Sequence, residues 1–414
     1  MTTCPIAHGY DPLDPSVVAN PYPALRVLRE EGPVFYLPSL DHYIVTRFDD
    51  IEAILKDRET WSASNASSPL IPVCPQAQEV LNSGFKRVPT LNNADPPRHA
   101  PMRKSVLAVM TPRRLRALEP VLRDYATSLI EGFAGKPVID FVQEYSFPFP
   151  GFAAFSLLGF PDADTDTLKE WSRTRVLLTY GRLSDEQQVE TAKDVVAMWQ
   201  YVEDFVAHRT AEPLDDLTSD LVRLARDRPD QLATFDIVNI VYSMALAGHE
   251  TTMNTIGSGL LALLRNRQQW QLLIDEPTLI ANAVEEILRF DGPVLNHRRV
   301  AKVDTSIGGI EIRAGSRIMM CFAAADHDPT HFGGDAESFR VDRSEAEFHL
   351  AFGKGAHLCL GAALGRLETQ ITLELLTTMT PDMELVPDQE LQYSPNALFR
   401  GLRSLLVAPK GTGP

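Results

Sequence analysis

The chain reads as mainly helical with a smaller β-rich portion, and three observations predict this. Apolar residues recur at helical spacing over most of the length. The clearest run goes from Thr234 to about Asn266, and its middle, Ile240 to Ala247, carries no charge. At ~1.5 Å per residue, ~30 residues make a rod of ~45 Å, about the width of a domain, so this helix should run through a core. Strand signals are few and short. Val34-Phe35-Tyr36-Leu37 and Tyr43-Ile44-Val45-Thr46 read as a hairpin joined by Pro38 to His42; Ile307-Gly308-Gly309-Ile310 reads as a second, and Arg317 to Phe322 as an apolar strand. Finally, 414 residues with 44% apolar and 23% charged side chains are ordinary for a globular protein with a large core.

Charge and cysteine usage exclude some functions. A net charge of −16 argues against nucleic acid as a partner, because phosphate binding needs a basic surface. Cys4, Cys74, Cys321 and Cys359 are scattered without a C-x-x-C pair, so neither a zinc site nor a disulfide framework is expected, and a reducing cytoplasm fits. Met1 to Pro15 lacks the apolar run and basic flank of a signal peptide. No apolar stretch approaches the ~20 residues that span a bilayer, so no membrane partner is expected.

In order, Pro21 to Glu31 reads as a helix with Leu25 and Leu28 inside. Asp49 or Asp50 caps another through Lys56. Ser64 to Asn93, with four prolines, reads as irregular, either a binding loop or a disordered one. Asp95-Pro96-Pro97-Arg98-His99 opens the next helix, where i, i+4 spacing puts His99 and Arg103 on one face. Two adjacent cationic donors suit a carboxylate or phosphate; alone they would be a solvated face. Thr111-Pro112-Arg113-Arg114 is a basic knot, either a solvated turn or a docking point for an acidic redox partner, with a helix following. Helices are expected over Leu168 to Leu178, Ser184 to Ala211 and Leu214 to Asp227, with Pro148, Pro150 and Pro161 breaking the part before them. Thr278 to Phe290 is a further helix carrying Glu286 and Arg289, an i, i+3 pair of a kind usually found on surfaces.

Two stretches break local rules. Ala247-Gly248-His249-Glu250-Thr251-Thr252 places a buried acid and two β-branched hydroxyl residues at the centre of the apolar helix. Gly248 leaves room for a ligand or for close packing, and a Thr hydroxyl can take the i−4 carbonyl and loosen the turn. The second is Phe352-Gly353-Lys354-Gly355-Ala356-His357-Leu358-Cys359-Leu360-Gly361, with a helical pattern after it. First-turn N–H groups favour the thiolate of a cysteine just before a helix, and the thiolate is both nucleophile and metal ligand. Taken alone, Cys359 would be a buried core thiol.

The ordered set Phe-x-x-Gly-x-His-x-Cys-x-Gly resembles the haem-binding loop of the cytochromes P450. The Ala247 to Thr252 hexapeptide is similar to their oxygen-activation segment, and Glu286-x-x-Arg289 stands in order where they place a structural Glu-x-x-Arg. The likeness runs from about Pro21 to Val407 and implies one P450-fold haem domain over 1–414, with an N-terminal extension over 1–20 and a possible linker start over 408–414. It implies haem b with Cys359 as axial ligand, Phe352 and Gly361 beside it, and His99, Arg103, Arg299 and His357 on the propionates, Arg298 remaining open against Arg299. Thr251 would hydrogen-bond dioxygen and Glu250 would relay protons. Ala247, Val294, Leu295, Asn296, Ala397, Leu398 and Phe399 would line the substrate pocket.

The implied reaction is monooxygenation, by hydroxylation or dealkylation, of a small hydrophobic or aromatic substrate. Electrons would come from NAD(P)H through a ferredoxin and reductase or a fused FMN/2Fe-2S reductase module. A hydrogen-peroxide-driven peroxygenase and a non-catalytic haem sensor are the alternatives. Two departures stand out: Gly333-Gly334-Asp335 replaces the usual proline-containing meander, and Gly365 stands where most relatives have alanine.

Overall fold

A computed structural model describes Pro5 and residues 9–410. Parts of the expected N-terminal extension and linker start, residues 1–4, 6–8 and 411–414, lie outside the described residues. The expected class holds: 56% of the chain is helical and 10% is strand.

The elements in order are α1 (Pro15–Ala19), α2 (Tyr22–Glu31), β1 (Val34–Leu37), β2 (His42–Val45), α3 (Phe48–Lys56), β3 (Trp61–Ser62), α4 (Pro75–Gly84), α5 (His99–Val109), α6 (Pro112–Glu131) and β4 (Ile139–Asp140). Then come α7 (Pro148–Leu158), α8 (Thr165–Tyr180), α9 (Asp185–Ala211), α10 (Leu217–Asp227), α11 (Thr234–Arg265), α12 (Arg267–Asp275) and α13 (Ile280–Asp291). The last third holds β5 (Asn296–Ala301), β6 (Thr305–Ile307), β7 (Ile310–Ile312), β8 (Arg317–Cys321), α14 (Phe322–Ala325), α15 (Pro329–Phe332), α16 (Ala362–Met379), β9 (Glu384–Leu385) and β10 (Leu406–Ala408). The chain divides into two compact units. The first takes the residues up to Trp61, Pro120–Phe149 and everything from Thr251; the second takes Ser62–Glu119 and Pro150–Glu250.

The first unit carries the sheets. The largest has the order β1-β2-β8-β5-β3. β1 and β2 pair antiparallel with Val34 opposite Val45, β8 joins β2 in parallel, and β5 joins β8 antiparallel. Strand alternation sends Val34, Val45, Ile318 and Met320 into a core shared with Phe48, Ile51 and Ile54 of α3. β6 and β7 form the expected hairpin, and Gly308 and Gly309 both take positive φ, as a two-residue turn matched to strand twist requires. α3 starts earlier than expected. Its cap position is Arg47, which makes no side-chain cap, and the Phe48 N–H donates instead to Asp328 Oδ2 at 3.2 Å. A carboxylate from a distant segment thus does what a local Asp was expected to do.

Glu286 and Arg289 on α13 are the centre of this unit, not a surface pair. Both side chains are 0% exposed and joined at 2.6 Å. Arg289 also donates to the carbonyls of Asp326, Ala336 and Ser338, while Glu286 accepts from the Arg340 N–H and pairs with Arg343 at 3.3 Å.

The second unit is helical. α9 begins in a capping box, Ser184 with Gln187, and packs against α4 and α8. α4 corrects the expectation of a wholly irregular 64–93. Pro75 occupies the first helical position, and the Cys74 N–H donates to Gln188 Oε1 at 2.8 Å. Only Ala77 of α4 is buried, so no apolar stripe announced it. α7 corrects another expectation: Pro148 and Pro150 lie in its first turn, where no intrahelical N–H partner is lost, and they begin a helix instead of breaking one.

Two stability outcomes follow. Glu286→Gln strands the buried Arg289 charge, and the urea midpoint should fall by the equivalent of about 3–5 kcal/mol. Gly365→Ala should stabilise by up to about 1 kcal/mol in the same assay, by helix propensity and a less flexible unfolded chain. The added Cβ has room, 3.5 Å from Thr252 Oγ1.

Candidate functional site: a cysteine loop, a basic strand and a buried acid

In the first unit, the cysteine loop is folded by its own backbone. The Gly353 N–H donates to Leu350 O, the Leu358 N–H to Gly355 O and the Cys359 N–H to Phe352 O, at 2.7, 3.1 and 2.9 Å. Gly355 has φ +69°, and a Cβ there would come within 2.5 Å of the Leu55 carbonyl oxygen, so only glycine lets the loop rest on the end of α3. Lys354 fastens the same edge to Glu52 at 2.7 Å. Gly361 holds the cap position of α16, which puts Cys359 two residues before the cap and three before the helix.

Cys359 is exposed, which rules out the inert core thiol. Leu358 beside it is 45% exposed, and Ala363 in the first turn of α16 is exposed as well. A thiol set in an uncovered apolar shelf fits a flat apolar group carrying a metal that takes a soft ligand. Phe352 lies under the Arg366 guanidinium, 4.5 Å from its ring centre. Arg366 and His349 both grip Glu285, at 2.7 and 3.2 Å. Burial pushes the Glu285 carboxyl up, but these two partners outweigh it and hold it down at about 2.

Four basic side chains gather around β5. The His297 pKa falls to about 3, first through burial and then through the charges of Arg299, Arg298 and His357. Strand alternation puts His297 and Arg299 on one face, and Arg299 Nη1 lies 3.0 Å from His297 Nδ1. Arg298, one residue away, acts on His42 as well. The face holding Arg299, His297 and His357 thus suits an anionic group. His297 escaped the sequence reading; its i, i+2 relation to Arg299 within a strand was the signal that could have found it.

The expected lining residues of this unit come together. Val294 bridges Phe399, and the Leu295 N–H donates to Leu398 O at 2.8 Å. Asn296 is buried, with Nδ2 donating to Ala397 O at 2.6 Å, which fastens the two segments. Leu295, Ala397 and Leu398 are buried, and Val294 and Phe399 half-buried.

α11 stays α-helical straight through the hexapeptide, so the threonines do not unwind it. The unit boundary falls between Glu250 and Thr251. Thr251 is half-buried, and its carbonyl accepts from Thr255 Oγ1 at 2.9 Å. In the second unit Ala247 is exposed, and a Cβ on Gly248 would lie 2.9 Å from that of Ala154, so close helix packing accounts for this glycine. Glu250 is 5% exposed and its Oε2 has no hydrogen-bond partner. Burial raises its pKa to about 8 against the opposing pull of Arg173, so it holds its proton at neutral pH. His99 and Arg103 stand one turn apart at the start of α5, His99 buried and Arg103 half-buried. Arg114 of the basic knot is bound to Asp220 and leaves only Arg113 and Arg116 exposed.

Comparison with known proteins agrees with this chemistry. The family profile for Cytochrome P450 matches residues 168–378. Cytochrome P450 107B1 of Saccharopolyspora erythraea is 34% identical over 377 residues, 89% of this chain and 90% of that protein. The solved structure of cytochrome P450 CREJ in complex with (4-ethylphenyl) dihydrogen phosphate is 36% identical, with a TM-score of 0.94 over 97% of this chain and 99% of its own. An intact type IV self-sufficient cytochrome P450 monooxygenase is 35% identical, with a TM-score of 0.93 over 99% of this chain and 54% of its own. Among the described residues no helix is long and apolar enough to cross a membrane. The chain belongs to the cytochrome P450 family of haem-thiolate monooxygenases, oxidoreductases whose cofactor is haem b.

Proposed function

We propose that this enzyme inserts one oxygen atom of dioxygen into a small hydrophobic or aromatic substrate in the cytoplasm, drawing electrons from NAD(P)H through a reductase. The observation that carries the reading is the exposed Cys359 thiol on its apolar shelf. Haem b, when bound, supplies the oxygen activation, which a thiolate ligand favours by pushing electron density toward the metal. Cys359 is that ligand, and Phe352 and Gly361 flank it. His99, Arg103, Arg299 and His357 pair with the propionates; Arg299 is preferred to Arg298 because it shares a strand face with His297, the residue on which His357 acts. Glu286 and Arg289 are structural.

Glu250 holds a proton in a dry setting and passes it on, and the Thr251 hydroxyl orients its delivery. A buried protonated acid favours dioxygen over hydrogen peroxide, which brings its own protons. Ala247, Val294, Leu295, Leu398 and Phe399 offer apolar contact to the substrate, and the aryl ligand of the similar solved structure supports an aromatic one. The likeness to a self-sufficient enzyme supports a fused FMN and iron–sulfur reductase as the electron source, with separate redox proteins as the other arrangement.

Cys359→Ala should abolish both the absorption band of the reduced carbon-monoxide complex and NAD(P)H-driven turnover; a variant that keeps its pigment, band and activity would sink the proposal. Glu250→Gln should lower kcat by about 10²-fold or more. In the parent, kcat should fall as pH rises through about 8, where Glu250 loses its proton, and the variant should lack that limb. The stability term has the same sign. A raised folded-state pKa means that this group's contribution declines from the ordinary carboxylate range up to about 8, and Glu250→Gln flattens that part of the pH–stability curve.

A further inference from the structure

The second unit buries positive charge that nothing in it neutralises. Arg175, on α8, is 7% exposed, and its Nε has no hydrogen-bond partner; its Nη1 donates to Thr179 Oγ1. Arg87, after α4, is partly buried with its Nε enclosed and likewise without a partner, while its Nη2 reaches Ser67 Oγ and Asn92 Oδ1, both at 3.3 Å. Among the described residues neither meets a carboxylate. Three other buried arginines are each matched to a carboxylate: Arg209 pairs with Asp216 at 2.6 Å, Arg289 with Glu286 at 2.6 Å and Arg400 with Asp291 at 2.7 Å.

Arg87 and Arg175 are close enough to oppose one another. Burial and then the Arg175 charge lower the Arg87 pKa to about 10, so Arg87 remains cationic at neutral pH. Both also act on the buried Tyr242 phenol, which burial raises and the two guanidiniums hold back. Around them stand aromatic rings. Phe85 is 5.3 Å from Trp199 and 5.7 Å from Tyr242, and the Arg175 guanidinium lies 5.7 Å from the Phe85 ring centre. The pair is also held in place. The Leu70 N–H donates to Thr179 O at 2.7 Å, Tyr180 Oη to Ala66 O at 2.9 Å and the Val88 N–H to Asn239 Oδ1 at 3.0 Å, which fix the segment carrying Arg87 against α8 and α11.

We propose that Arg87 and Arg175 form a subsite for an oxyanion on the substrate, beside the Phe85–Trp199–Tyr242 aromatic wall. Spare guanidinium N–H groups pair in parallel with oxyanions, and two cations match a dianionic phosphate monoester better than a singly charged carboxylate. The substrate is then a small aromatic molecule carrying an acidic head, which names the substrate class of the monooxygenase reading and rests on it.

The test is calorimetric titration of the haem-loaded enzyme with phenyl phosphate, benzoate and toluene. Phenyl phosphate should bind about ten-fold or more tighter than toluene, the scale of a charge-assisted hydrogen bond, and inorganic phosphate should compete with it. Arg175→Met and Arg87→Met should each weaken phenyl phosphate by about ten-fold or more while leaving toluene within about two-fold. Should either variant not fold, Arg175→Lys and Arg87→Lys keep the charge, lose the fork and should give a smaller loss. Benzoate tighter than phenyl phosphate would keep the oxyanion subsite and assign it to a carboxylate. Equal affinity for toluene and both oxyanions, or no loss in the arginine variants, overturns the proposal. The reduced carbon-monoxide spectrum of the same samples separates that result from a failure of the haem assignment.

Discussion

The buried Glu286–Arg289 pair is the interaction from which the cysteine loop is built. Two opposite charges at 0% exposure are tolerable only with close contact and full hydrogen bonding, and here each finds several partners. Arg289 gathers the carbonyls of Asp326, Ala336 and Ser338, and Arg343 adds those of Phe332, Asp335 and Ser338. These contacts fold residues 326–343, a stretch with little regular structure to satisfy its own backbone. Asp326 then accepts the Leu350 N–H at 2.7 Å, and Leu350 O accepts that of Gly353 at the mouth of the loop. The position of Cys359 is therefore inherited, contact by contact, from an ion pair on a different helix. Within Gly333-Gly334-Asp335, the Asp335 side chain pairs with Arg340 and Arg343 at 2.8 and 3.0 Å.

The chain treats buried charge in two ways. Where the purpose is structural, acid and base are matched within the fold, as in Glu286 with Arg289 and Arg209 with Asp216. Elsewhere the fold leaves the balance open. Glu250 is buried without an adequate partner and keeps its proton, His297 is surrounded by cations and loses its own, and Arg87 and Arg175 meet no carboxylate among the described residues. Burial without compensation raises the energy of a group and makes it responsive to a ligand or a proton. Glu250 is one to which the proposed function assigns work, and Arg87 and Arg175 are those of the proposed oxyanion subsite; Glu368, buried with neither carboxylate oxygen hydrogen-bonded, has no assigned part.

What the sequence determined by itself was local. Hydrophobic period placed α2, α9, α11 and the β6–β7 hairpin close to their observed bounds, because apolar spacing and turn residues decide such elements before any packing. The cysteine loop was legible because its glycines, its histidine and its sulfur lie within ten residues, and Glu250-Thr251 because an acid inside an apolar helix violates a local rule. Tertiary structure decided the rest. α4 has one buried residue and no stripe to read, and α3 is started by Asp328, far along the chain. Glu286-Arg289 has the same spacing as Glu170-Arg173, whose side chains are about half exposed, and only folding buries one and not the other. Arg299 and Arg298 face opposite ways through the pleat of a strand, and Asn296 meets Ala397 O across about a hundred residues of chain. Arg87 and Arg175 lie in separate segments and meet only in space. Spacing along a chain fixes which side chains share a face; what stands opposite that face, and whether water is still there, is settled only when the chain closes on itself.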